Sequence, residues 1–146
     1  MVWYWSVIFY SDASFYLVDR KAGIACIAMS DGGQVIETVT KQCAANDVVA
    51  AELQGILESA KLASKLKCDK GTLMSDCAIA VRMLNDPSKV SEKYNGFVQS
   101  ILSLKGNLNI EWGGREGNSR ADALAMLALR RSELENRESG CFDFHI

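Results

Sequence analysis

Residues 5–43, WSVIFYSDASFYLVDRKAGIACIAMSDGGQVIETVTKQC, decide the fold. Aromatic and β-branched residues dominate 5–12, with Val7 and Phe9 facing one way and Ile8 and Tyr10 the other. Both faces are apolar, which suits a strand covered on two sides. A turn is expected next, and 15–29 read as a second strand. Ser30-Asp31-Gly32-Gly33 is a turn cluster, and the alternation over 34–43 marks a third strand. Three consecutive strands joined by tight turns make an antiparallel meander.

The period then changes. Asn46-Asp47 supply a helix N-cap, and Val49, Leu53, Ile56, Ala60 and Ala63 fall on one helical face, ending near Lys67. GTLMSD (71–76) is a short apolar strand, and CAIAVRMLN (77–85) a short helix stopped by Asn85-Asp86-Pro87. SEKYNGFVQSILSLKG (91–106) is an amphipathic helix closed by Gly106. LNIEW (108–112) is a fifth strand, and 119–137 form a last helix. The order βββ-α-β-α-α-β-α predicts an α/β domain. Its five-stranded mixed sheet joins the three-strand antiparallel meander to two further strands, with helices on both faces. We expect a single domain over 1–146, with its core at about 6–131 and a tail at 132–146. No repeat, linker or low-complexity segment interrupts it.

Bulk properties narrow the function. The chain has 146 residues, 49% of them hydrophobic, so it can bury a sizeable core. A net charge of −2 argues against a dominant basic patch, so global charge does not supply a grip on nucleic acid. The five cysteines are odd in number and form no CxxC pair, which suits reduced thiols and an intracellular setting. The one histidine, His145, stands beside the end, which disfavours a Ser-His-Asp triad or a histidine-rich metal site. MVWYWSVIFYSD lacks a basic n-region and reads as a strand rather than a signal peptide, and no apolar run is long enough for a bilayer. The abrupt start suggests a domain of a longer chain. A monomer is expected, though Trp3, Tyr4 and Trp5 are placed to pair with a partner or pack in the core.

Four acids sit in awkward places. Asp12 lies inside or at the end of the first strand, where Asp is disfavoured unless it starts a turn. Glu52 shares the apolar face of the first helix, where a charge must snorkel out, pair or meet a cation. Asp76 opens a helix as an N-cap does, and Asp122 falls where a helix dipole favours a carboxylate. Jointly they say more. With strand one central and strand four beside it, all four can meet at one sheet edge. Such a cluster repels itself unless divalent cations neutralise it, and hard oxygen ligands suit Mg²⁺ or Mn²⁺.

At these residues the sequence resembles a known family. SDASF (11–15), AAELQGIL (50–57), LMSDCAIAV (73–81) and NSRADALA (118–125) are similar to the four catalytic segments of type 1 ribonuclease H, in order and on matching elements. The ending is nearest to the domains of plant proteins and retroelements, and to some archaeal members. The resemblance implies cleavage of the RNA strand of RNA–DNA hybrids with two bound ions. It implies that Asp12 bridges both ions, that Glu52 and Asp76 complete one sphere, and that Asp122 holds the other ion. It carries a functional loop arginine onto Arg115 and a loop asparagine onto Asn118, which also fits an N-cap. The loop before Asp122 is expected to move during product release.

Departures are equally visible. Val48-Val49-Ala50-Ala51 stand where the family has polar groups that read 2′-hydroxyls. Hybrid contacts then fall to backbone groups, Ser14, Asn46 and Gln54. The basic protrusion of bacterial members is missing at 86–96, which leaves Lys89, Lys93 and Arg115 as phosphate contacts. Two other readings therefore stand beside the nuclease: a catalytically weak binding module of a larger polypeptide, and a nuclease of the superfamily acting on another nucleic acid.

Overall fold

The structure, a computed structural model, describes residues 6–113 and 115–138, with the side chains of 115–117 and 131–138 left out. Trp3, Tyr4, Trp5, Cys141 and His145 lie outside the described residues. The elements are β1 (Val7–Tyr16), β2 (Lys21–Ser30), β3 (Val35–Ala44), α1 (Val48–Lys65), β4 (Gly71–Ser75), α2 (Ala78–Asn85), α3 (Glu92–Lys105), β5 (Asn109–Trp112) and α4 (Arg115–Glu138). A single 3₁₀ turn, Pro87–Lys89, lies between α2 and α3. The sheet order is β3-β2-β1-β4-β5. β1, β2 and β3 are antiparallel neighbours, while β4 and β5 run parallel to β1. The mixed sheet with its central first strand is thus as the sequence predicts.

Two boundaries differ. The first turn does not fall at Ala13-Ser14. β1 and β2 stay paired from Val7↔Ser30 through Asp12↔Ala25 to Tyr16↔Lys21. The chain reverses at 17–20, where Arg20 takes a left-handed φ of 51° and donates its amide to the Leu17 carbonyl. The last helix begins at Arg115 rather than at 119, so 115–121 are helical and not a loop.

Alternation along β1 separates the two faces of the sheet. Val7 and Phe9, with Cys26 and Ala28 on the same face of neighbouring β2, meet Leu53, Ile56, Ala60 and Ala63 of α1 in the main core, which Val98 and Ile101 of α3 also join. Each large apolar side chain buried there contributes roughly 1.5–3 kcal/mol. α1 passes β1 so closely that a Cβ at Gly55 would lie 3.5 Å from the Asp12 carbonyl. The opposite face carries α4. A Cβ at Gly23 would run into the Ala125 carbonyl and the Leu129 amide, and Ala121 and Ala125 are wholly buried. Small residues on both sides of that contact bring α4 down onto β1 and β2. Among the described residues no helix is long and apolar enough to cross a membrane.

Candidate active site

The site arises from a difference in strand length. β4 pairs with β1 only as far as Ser11↔Ser75, whereas β1 runs on to Tyr16. Past Ser11 the β4 side of β1 is a notch, and the Ala13 N–H there has no strand partner. Glu52, in the second turn of α1, fills it: Ala13 N–H donates to Glu52 Oε1 at 2.8 Å. Asp12 stands beside it inside the strand, and Asp76 follows the last residue of β4. Carboxylate oxygens of Asp12, Glu52 and Asp76 all lie within 4.8 Å of one another. Asp122 reaches in from α4 and shares a hydrogen bond with Asp12.

This geometry removes the ordinary explanation for each acid. Asp12 is inside the ladder and not in a turn. Glu52 is 5% exposed, so it does not snorkel. Asp76 caps nothing: α2 begins at Ala78 without a side-chain cap, and the Cys77 amide donates instead to Ser75 Oγ at 3.1 Å. Asp122 lies well past the first turn of α4, which starts at Arg115. The cluster is also uncompensated. The ion pairs among the described residues join Lys41 and Lys61 to Glu58, Lys65 to Glu37 and Lys93 to Asp47, and none involves the four acids.

The electrostatic result is proton retention. Burial, the hydrogen bond with Asp122 and the nearby charge of Asp76 push Asp12 up to about 7. Burial and the adjacent charge of Asp12 push Glu52 up to about 9. Without a counter-ion the buried pair keeps protons that free carboxylates would lose. An all-oxygen donor set of this kind fits a hard divalent cation, whose charge would displace those protons.

The remaining predicted residues divide. Asn118 is not an N-cap: it is 2% exposed, inside α4, and its Nδ2 donates to the Ser11 carbonyl at 3.0 Å. It ties α4 to β1 one residue before Asp12, and so holds Asp122 and Asp12 in register. Arg115 is the first residue of α4, and its side chain lies outside the described part. Ser14 is half-buried on β1, on the same face as Asp12. Asn46 and Gln54 line a cleft with Ala44, Asp47, Lys93 and Tyr94 that none of the four acids lines. There Gln54 Nε2 donates to the Ala44 carbonyl at 2.9 Å. Asp47 is the N-cap of α1, taking Ala50 N–H at 2.8 Å, Tyr94 O–H at 2.8 Å and Lys93 Nζ at 3.1 Å. Partial burial works against its charge, yet these donors hold Asp47 below the usual carboxylate range. Lys93 is therefore committed to Asp47. Trp112 is a residue that sequence reasoning passed over: its indole N–H donates to the Asp76 carbonyl at 3.2 Å, a contact across 36 positions with no local signal.

Comparison with known proteins gives the chain's family and fold. The profile of the reverse transcriptase-like family matches residues 10–128. No curated protein sequence matches the chain. RNase H1 from the halophilic archaeon Halobacterium salinarum NRC-1 superposes with a TM-score of 0.79 at 19% identity, over 86% of this chain and 98% of that one. LC11-RNase H1, isolated from compost and solved in complex with an RNA/DNA hybrid, gives 0.73 at 19% identity, over 86% and 98%. The foamy viral protease-reverse transcriptase in complex with RNA/DNA hybrid gives 0.70 at 17% identity, over 84% of this chain and 20% of that longer one. With the profile spanning most of the sequence and the sheet matching these structures, the chain belongs to the reverse transcriptase-like family and has the fold of type 1 ribonucleases H.

Proposed function

We propose that the protein is a metal-dependent endonuclease that hydrolyses the RNA strand of RNA–DNA hybrids, using two Mg²⁺ or Mn²⁺ ions. The observation that carries this reading is the convergence of Asp12, Glu52 and Asp76 within 4.8 Å, with Asp122 hydrogen-bonded to Asp12 and no cation paired to any of them among the described residues. These four would hold the ions. When bound, divalent ions supply what the side chains lack, acidifying a water for attack and stabilising the leaving oxygen. The chain's own part is placement. Ala13 N–H fixes the Glu52 carboxylate, and Asn118 fixes the β1 backbone against α4. Bound cations would favour the charged forms of Asp12 and Glu52, which hold protons without them. By the family resemblance, Arg115 would supply a contact to substrate phosphate, and Ser14, Asn46 and Gln54 would supply contacts to the hybrid. The hybrids bound in the LC11-RNase H1 and foamy viral structures support this substrate. The four described cysteines are unpaired, which supports an intracellular setting.

The test is cleavage of labelled RNA–DNA hybrid, duplex RNA and duplex DNA in Mg²⁺ or Mn²⁺. Hybrid-only cutting, abolished by Asp12→Asn, is the expected result. Cutting of another duplex would move the activity to a different substrate. Binding without cutting would favour a second reading, a weak module of a larger polypeptide. The foamy viral protein, in which the same fold occupies a fifth of a longer chain, lends support to that arrangement.

A further inference from the structure

The end of β5 presents an open aromatic ring beside the acids. Trp112 is 60% exposed. Its partner in the β4–β5 ladder is Ser75, the residue before Asp76. Its indole N–H donates to the Asp76 carbonyl at 3.2 Å, and the next amide, Gly113 N–H, donates to the Ser75 carbonyl at 2.9 Å. Two donors thus tie the end of β5 to the backbone that carries Asp76. Ile79, in the first turn of α2 and three residues past Asp76, is 52% exposed and adds a second apolar surface there.

An indole buries a large apolar area when it is packed away, so a ring left 60% open has that area available to a partner. The ring's one polar group is already engaged. Its free surface is therefore π-face and edge, which cannot read a base by hydrogen bonding. It can stack on the base or sugar of a strand, a contact that tolerates any sequence. The carboxylates fix where that strand must lie, because the phosphate to be cut has to reach them. A ring one strand away from Asp76 then meets a nucleotide next to that phosphate.

We propose that Trp112 is a nucleotide-stacking residue, whose ring takes the base or sugar neighbouring the cleaved bond. This rests on the hybrid-cleaving reading above. The contact serves affinity rather than base identity, on a chain whose net charge of −2 lends little global attraction for nucleic acid.

The experiment is fluorescence anisotropy with a labelled RNA–DNA hybrid, in Ca²⁺ so that the site is loaded with an oxygen-seeking ion. Wild type, Trp112→Ala, Trp112→Leu and Trp112→Phe are compared, each with its melting temperature. Alanine and leucine should weaken binding about tenfold or more, the scale of one lost stacking contact. Phenylalanine keeps a ring and loses the N–H, and should stay within about threefold of wild type. Alanine and leucine variants that bind as wild type does would overturn the stacking role alone. So would a phenylalanine variant as weak as alanine, since that points to the N–H holding Asp76. A wild type that does not bind the hybrid at all overturns the substrate reading, and this inference with it.

Discussion

Substituting Glu52 by glutamine should stabilise the protein in the absence of metal, and the gain should depend on pH. Glutamine keeps an oxygen for the Ala13 N–H and cannot ionise, so it imitates the protonated state that the buried site favours. Glu52 is raised from 4.5 to about 9. A group raised in this way contributes stability that is complete below its unfolded value and is lost as pH climbs towards the folded one. Wild-type stability in chelator should therefore fall from about pH 4.5 to about pH 9. At pH 8 the retained proton costs roughly 5 kcal/mol, at 1.36 kcal/mol for each tenfold. Mutual repulsion is shared with Asp12 and some relaxes with water, so we take about half, ~2–3 kcal/mol, as the gain from Glu52→Gln. At roughly 3 °C per kcal/mol for a domain of this size, the melting temperature should rise by about 6–9 °C in EDTA at pH 8. At pH 5, only half a unit above the unfolded value of 4.5, holding that proton costs less than ~1 kcal/mol, so the gain should shrink to below ~1 kcal/mol. Calorimetry of both proteins at the two pH values checks this. A variant less stable than wild type at pH 8, or an equal gain at both pH values, refutes the reasoning.

Further outcomes follow from the same geometry. Asp76→Asn should abolish Mg²⁺-dependent stabilisation while preserving or raising the melting temperature in EDTA, because Asp76 repels Asp12 and Glu52 and caps no helix; thermal melts with and without Mg²⁺ decide it, and a large drop in EDTA counts against it. Asn118→Ala removes a buried amide that bridges α4 to β1, so it should cost about 2 kcal/mol and most of the activity, whereas an unchanged melt would show that the bridge is idle. Mg²⁺ affinity should strengthen as pH rises from 6 to 9, since Asp12 at about 7 and Glu52 at about 9 must give up protons. Titration calorimetry in buffers of different ionisation enthalpy should show that release, and a flat profile would contradict it.

How much of this was legible in the sequence depended on whether the signal was local. The meander, the change of period at Asn46-Asp47 and the final helix are patterns within single segments, and they appear in the structure. The first turn was not visible because Leu17-Val18-Asp19-Arg20 contains no glycine, proline or asparagine, and Arg20 takes the left-handed conformation itself. The start of α4 was misread because Gly113, Gly114 and Gly117 look like loop residues, yet Gly117 lies inside the helix. Asn118 then passed for an N-cap, when tertiary packing had buried it against Ser11. The acid cluster was legible only jointly, since each acid alone suited a turn, a rim, a cap or a helix dipole. Asn46 and Gln54 were assigned to the hybrid as polar groups near the start of α1; that they line one cleft, with Gln54 donating to the Ala44 carbonyl, follows from tertiary packing that no short window shows. The Trp112 contact with Asp76 depends on parallel pairing of β4 and β5, which no short window shows.

The central claim is that four distant acids are gathered to hold divalent ions. Anomalous diffraction from crystals grown with Mn²⁺ and a short RNA–DNA hybrid tests it most directly. The account predicts two Mn²⁺ peaks coordinated by Asp12, Glu52, Asp76 and Asp122, with Asp12 on both and a phosphate of the RNA strand between them. Peaks confined to scattered surface acids, with the notch beside Ala13 empty, would contradict it.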